Sequence, residues 1–125
     1  MKRILIVEDN PNNRDMLTTI LKFHGFETIQ AEDGQQAIEK ARETVPDLIL
    51  MDLSMPVMNG WDATRQIKQD PALAHIPIVA VSAYDMLQDK EAALAAGCDA
   101  FLSKPLNMFA LKERLEAIMA KRDQG

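Results

Sequence analysis

The chain carries a single cysteine, Cys98. No internal disulfide can staple it, and this fits a reducing, cytoplasmic compartment. It also lacks an apolar run of membrane length. The longest stretch free of Asp, Glu, Lys and Arg is 14 residues, 71–84, and it contains Pro71 and Pro77. A bilayer-spanning helix needs about 20, so no membrane association is expected. The tetrad Ile4-Leu5-Ile6-Val7 is too short for the apolar region of a secretory leader. Basic residues are in the minority, with 14 Lys and Arg against 19 Asp and Glu. Neither sign forms a long block, so a broad basic face for nucleic acid is disfavoured. There is no low-complexity linker and no sequence repeat of solenoid length. What remains is an ordinary globular composition, 47% apolar and 26% charged over 125 residues. That length predicts one domain, 1–125, burying roughly two-thirds of its unfolded surface in a single core.

Two kinds of segment alternate along the chain. Ile4-Leu5-Ile6-Val7, Leu48-Ile49-Leu50-Met51 and Ile78-Val79-Ala80-Val81 are continuous apolar runs, the pattern of strands covered on both faces of a parallel sheet. Weaker strand signals lie at 27–30 and 100–102. Helix-period stretches stand between them. Leu17, Ile20, Leu21 and His24 share one helical face, as do Leu111, Leu115 and Ile118 near the end. Asn10-Pro11 predicts a capped helix start, and Asp33 with Gln36, and Asp85 with Gln88, have capping-box spacing. Gly25 and Gly97 stand where a left-handed helix stop is wanted. Five successive βα units predict an α/β fold with helices on both faces of a parallel sheet, in three layers.

In open α/β sheets ligands bind beyond the carboxyl ends of the strands. The predicted strands end in Glu8-Asp9, Asp52, Ser82 and Ser103-Lys104. Parallel strands in register would therefore gather three carboxylates, a hydroxyl and an amine at one edge. Like charges held close raise one another's pKa, and a cation resolves the conflict. Oxygen donors without His or thiolate suit Mg²⁺ or Mn²⁺ better than Zn²⁺, and Mg²⁺ points to phosphoryl chemistry. The blander reading makes each acid a helix cap or a solvated loop residue; Asp9 alone fits it, the whole set less well. The turn Glu8-Asp9-Asn10-Pro11-Asn12 has no glycine and two negative charges, which opposes a P-loop, dinucleotide or flavin site.

These strand ends, together with Met55-Pro56, Met58-Asn59-Gly60, Ser82-Ala83 and Lys104-Pro105, resemble the receiver domain of bacterial two-component response regulators, over residues 2–120. The start Glu8-Asp9-Asn10 is similar to that of single-domain cell-cycle or phosphorelay members. The resemblance implies a flavodoxin-like (βα)5 fold with strand order 2-1-3-4-5. It implies that Asp52 accepts a phosphoryl group from a histidine kinase or histidine phosphotransfer protein. Glu8, Asp9, Asp52 and the backbone carbonyl of Ser54 would hold Mg²⁺. Lys104 would bind a phosphoryl oxygen, Ser82 would donate to the new phosphoryl group, and Phe101 would turn inward as the aromatic switch. Output is expected through protein contact, on a face made of a fourth helix at 85–96 with the last strand and helix at 101–119. A monomer or weak dimer is expected, without enzymatic turnover of its own.

Three positions depart from the commonest family pattern. Glu8 replaces an aspartate and adds a methylene, Ser82 replaces a threonine, and Phe101 lacks a tyrosine hydroxyl. Ser54 and Tyr84 flank the phosphoryl position and are expected to tune its lifetime. Rival readings are a Mg²⁺-dependent aspartyl phosphatase, an interaction module that is never phosphorylated, and a receiver cut from a larger hybrid kinase. The phosphatase reading wants an acid two residues after the nucleophile, where Ser54 stands. His24 and His75 have no partner at ligand spacing. Cys98 reads as a small buried filler and the eight methionines as core filling; Trp61 reads equally as a partner anchor or a packing residue.

Overall fold

The computed structural model describes residues 2–52, 60–82, 91, 94–95, 97–103 and 108–124. The chain alternates strand and helix: β1 (Arg3–Val7), α1 (Pro11–Phe23), β2 (Glu27–Ala31), α2 (Gly34–Thr44), β3 (Leu48–Asp52), α3 (Gly60–Gln69), β4 (Ile78–Ser82), β5 (Ala100–Ser103) and α4 (Met108–Gln124). The fourth helix expected at 85–96 lies mostly outside the described residues; 91, 94 and 95 are helical.

All neighbouring strands are parallel, in the order β2-β1-β3-β4-β5. The three apolar runs form the central strands, and alternate residues feed two separate cores. Leu5, Val7, Ile49, Met51, Ile78 and Ala80 pack with Ala37, Ile38 and Ala41 of α2 and Ala63 and Ile67 of α3. Ile4, Ile6, Leu48, Leu50, Val79 and Val81 pack with Leu17 and Leu21 of α1 and Leu111, Leu115 and Met119 of α4. A continuous apolar run is what a strand needs when both of its faces are covered. The face of α4 turns slightly from the expected one: Met119 is fully buried and Ile118 only partly. Met51 and Met119 fill core, whereas Met16 is about half exposed.

The helix ends hold the sheet edges in place. Asn10 Oδ1 accepts the amides of Asn12 and Asn13 at 2.9 and 3.1 Å, with Pro11 opening α1. At the other end, His24 is the cap rather than part of the apolar face. The Gly25 amide donates to Lys22 O and that of Phe26 to Leu21 O, a Schellman stop that needs Gly25 at φ +92°. Asp33 caps α2 by accepting the Gln36 amide at 2.8 Å, while the Gln36 side chain reaches back to the amide of Glu32, one residue beyond the expected capping-box partner. Gly97 also has positive φ, and a Cβ there would stand 3.0 Å from Lys68 Cγ. Cys98 is buried beside Thr64, and that burial pushes its thiol pKa up, in keeping with an inert filler.

Candidate functional site

Parallel register carries the last residues of β1 and β3 to one edge. Val7 pairs with Met51, so Glu8 leaves β1 where Asp52 closes β3. The Glu8 amide extends the sheet by donating to Ala31 O at 3.1 Å. One carboxylate oxygen from each of Glu8, Asp9 and Asp52 lies within 4.8 Å of the others. Glu8 is 3% and Asp52 5% exposed, while Asp9 opens to solvent. Two of three clustered acids are therefore largely withdrawn from water, where the mutual repulsion of ionised carboxylates is least screened.

The turn that presents Glu8 and Asp9 is braced at several points. Glu8 Oε1 accepts the Asn10 amide at 3.4 Å, a long bond, and the Glu8 carbonyl accepts from Arg14 Nη1 at 2.8 Å. Arg14 Nη2 also lies 3.8 Å from Glu32 Oε1, at the end of β2. Sequence reasoning missed Arg14. A signal was present: a cation near the start of a helix opposes the helix dipole, so an arginine there calls for an oxygen partner close by.

The structure thus brings together Glu8, Asp9 and Asp52. Val81 pairs with Asp52, which puts the backbone of Ser82 one residue further along the neighbouring strand at the same edge; the side chain of Ser82 lies outside the described residues. Phe101 pairs with Ala80 and is partly buried against the core beneath α2 and α3. Ser54, Tyr84 and Lys104 lie outside the described residues, as does the side chain of Trp61. His75 is exposed in the turn before β4, away from the acidic group. The donor set fits a hard divalent cation: it is all carboxylate oxygen, with two buried members that a positive charge would relieve. Among the described residues, no other group of three or more His, Cys, Asp or Glu could hold a metal, and no helix is long and apolar enough to cross a membrane.

The comparisons with known proteins agree with this geometry. Residues 4–116 match the response regulator receiver domain family. The polar-differentiation response regulator DivK of Brucella anthropi is 41% identical over 107 residues, covering 86% of this chain and 87% of its own. Among solved structures, the receiver domain of a Pseudomonas aeruginosa sensor histidine kinase, determined with magnesium in its active-site cleft, superposes with TM-score 0.89 at 34% identity, over 95% of this chain and 98% of that one. The Vibrio cholerae chemotaxis protein CheY4 gives TM-score 0.89 at 29% identity, over 94% of this chain and 98% of its own. With the strand order, the carboxylate cluster at the strand ends and a match spanning most of its length, the chain belongs to the receiver domain family of two-component response regulators.

Proposed function

We propose that the chain is a phospho-accepting switch, one receiver unit over 1–125, in which Asp52 takes a phosphoryl group from the phosphohistidine of a histidine kinase or phosphotransfer protein. The convergence of Glu8, Asp9 and Asp52 at the ends of β1 and β3 carries this reading. An oxygen of Asp52 attacks phosphorus while the bond from phosphorus to the donor imidazole nitrogen breaks, and the imidazole leaves to be protonated by solvent. Asp52 must be ionised to attack. Glu8, Asp9, Asp52 and the Ser54 carbonyl are the residues that would hold Mg²⁺ (or Mn²⁺). A divalent cation bound there supplies charge neutralisation, the main requirement of a loose phosphoryl-transfer transition state. Lys104 binds a phosphoryl oxygen, the Ser82 hydroxyl donates to the modified Asp52, and Phe101 follows by packing, since it has no hydroxyl to bond. This local change biases the face formed by 85–96 and 101–119 toward or away from a protein partner.

The kinship to DivK, itself described as a response regulator, supports a regulator that works through protein contact, not turnover of a substrate. The similarity to the receiver of a sensor histidine kinase favours a second reading, in which the same acceptor serves within a hybrid kinase. Acetyl phosphate with Mg²⁺ is expected to add one phosphoryl group by intact mass, and Asp52→Asn to abolish it. Labelling that survives the substitution would remove Asp52 as acceptor.

A further inference from the structure

We infer that Arg14 is a positioning residue for the acidic site: its guanidinium holds the Glu8 carbonyl, and through it sets the Glu8 and Asp9 carboxylates against Asp52. The inference deepens the divalent-cation reading above and rests on it. The Arg14 side chain is only 13% exposed. Nη1 donates to Glu8 O at 2.8 Å, and Nη2 faces Glu32 Oε1 at 3.8 Å. The backbone of Glu32 is held at the start of α2, where its amide donates to Gln36 Oε1 at 2.9 Å, while its side chain stays largely exposed. One planar side chain from α1 thus bridges the exit of β1 and the exit of β2. A guanidinium, with several donors in one rigid plane, suits such a bridge better than an ammonium.

The carbonyl that Arg14 grips belongs to a residue whose own carboxylate is part of the cluster and whose neighbour, Asp9, supplies another. Rotation of the peptide between Glu8 and Asp9 would swing Asp9 away from Asp52. The contact from the Glu8 side chain to the Asn10 amide, at 3.4 Å, is long for a hydrogen bond and uses an oxygen of a prospective ligand. Arg14 braces this peptide through its carbonyl and takes up no carboxylate oxygen of the cluster.

Charge and position make opposite forecasts. Were Arg14 only a nearby positive charge, removing it would deepen the negative potential of the cluster and tighten a divalent cation. Were it a positioning residue, removing it would loosen the site, and outer partners of metal ligands typically contribute 10–100-fold in affinity. The test is calorimetric titration of Mg²⁺ into the wild type, Arg14→Gln, Arg14→Lys, Glu32→Gln and Asp52→Asn, each first checked for folding by circular dichroism. Arg14→Gln should weaken binding about tenfold. Arg14→Lys should recover part of the loss, and Glu32→Gln, which leaves the bond to Glu8 O in place, should shift affinity no more than about twofold. Unchanged or tighter binding in Arg14→Gln overturns the inference. Should Arg14→Gln unfold, a loss in Arg14→Lys larger than in Glu32→Gln supports it and equal effects overturn it. Failure of the wild type to bind Mg²⁺, or equal binding by Asp52→Asn, would instead overturn the cation reading beneath it.

Discussion

The two edges of this sheet use carboxylates in opposite ways. At the amino edge, Asp47 stands just before β3 and Asp99 just before β5. Each closes the ladder with the neighbouring strand reciprocally. Asp47 Oδ2 accepts the Arg3 amide at 2.8 Å while its own amide donates to Arg3 O at 2.8 Å. Asp99 Oδ2 accepts the Ile78 amide at 2.8 Å and its amide donates to Ile78 O at 2.8 Å. Lys68 then sits 3.0 Å from Asp99 Oδ2 and also donates to the Ala74 and Ile76 carbonyls. At the carboxyl edge, Glu8, Asp9 and Asp52 face one another. Asp47 and Asp99, each before a strand, meet a backbone amide of the neighbouring strand, whereas Glu8, Asp9 and Asp52, at the strand ends, meet one another. Strand direction separates the carboxylates that close the ladder from those that cluster.

The largest expected difference between the edges is their response to a divalent cation. Mg²⁺ at a hundred times its dissociation constant should stabilise the wild type by about 2.7 kcal/mol, since it binds only the folded cluster. The stabilisation should shrink in Asp52→Asn and stay intact in Asp99→Ala, as read by chemical unfolding with and without chelator. Equal responses from the two variants would erase the distinction. Next in size is the direct effect on stability. Asp99→Ala leaves the Ile78 amide and Lys68 without their shared oxygen and should destabilise by about 2 kcal/mol, the range of hydrogen bonds to charged groups. Smaller, and of opposite sign, is Asp52→Asn in chelator. Removing one of three like charges held this close should stabilise by about 1 kcal/mol. Destabilisation by Asp52→Asn as large as that by Asp99→Ala would mean that the carboxyl edge is as structurally committed as the amino edge.

Much of this was readable in the amino acids. The runs Ile4-Leu5-Ile6-Val7, Leu48-Ile49-Leu50-Met51 and Ile78-Val79-Ala80-Val81 predict the central strands because burial on both faces leaves no room for polar alternation, and they form β1, β3 and β4 with an added residue at one end. Asn10-Pro11, Gly25 and Gly97 predict local geometry that depends on their own backbone, and each stands in it. The acids of the site were legible because they end strands; their approach in space follows once the strands are parallel. Arg14, Lys68, Asp47 and Asp99 were not. Their partners lie up to 44 residues away, as with Asp47 and Arg3, and no local periodicity records such a pairing. Val45 was missed too. It caps α2 at φ +44°, a left-handed conformation that a β-branched residue rarely takes and that helix ends usually give to glycine.

The central claim is that Asp52, alone among the three clustered acids, becomes an acyl phosphate. Borohydride reduces an acyl phosphate to the corresponding alcohol, leaving a permanent mark at the modified carboxylate. Acetyl phosphate and Mg²⁺ followed by borohydride and peptide sequencing by mass spectrometry should place that mark at position 52 and at no other acid. A mark at Glu8 or Asp9, or none when Mg²⁺ is bound, would contradict the account.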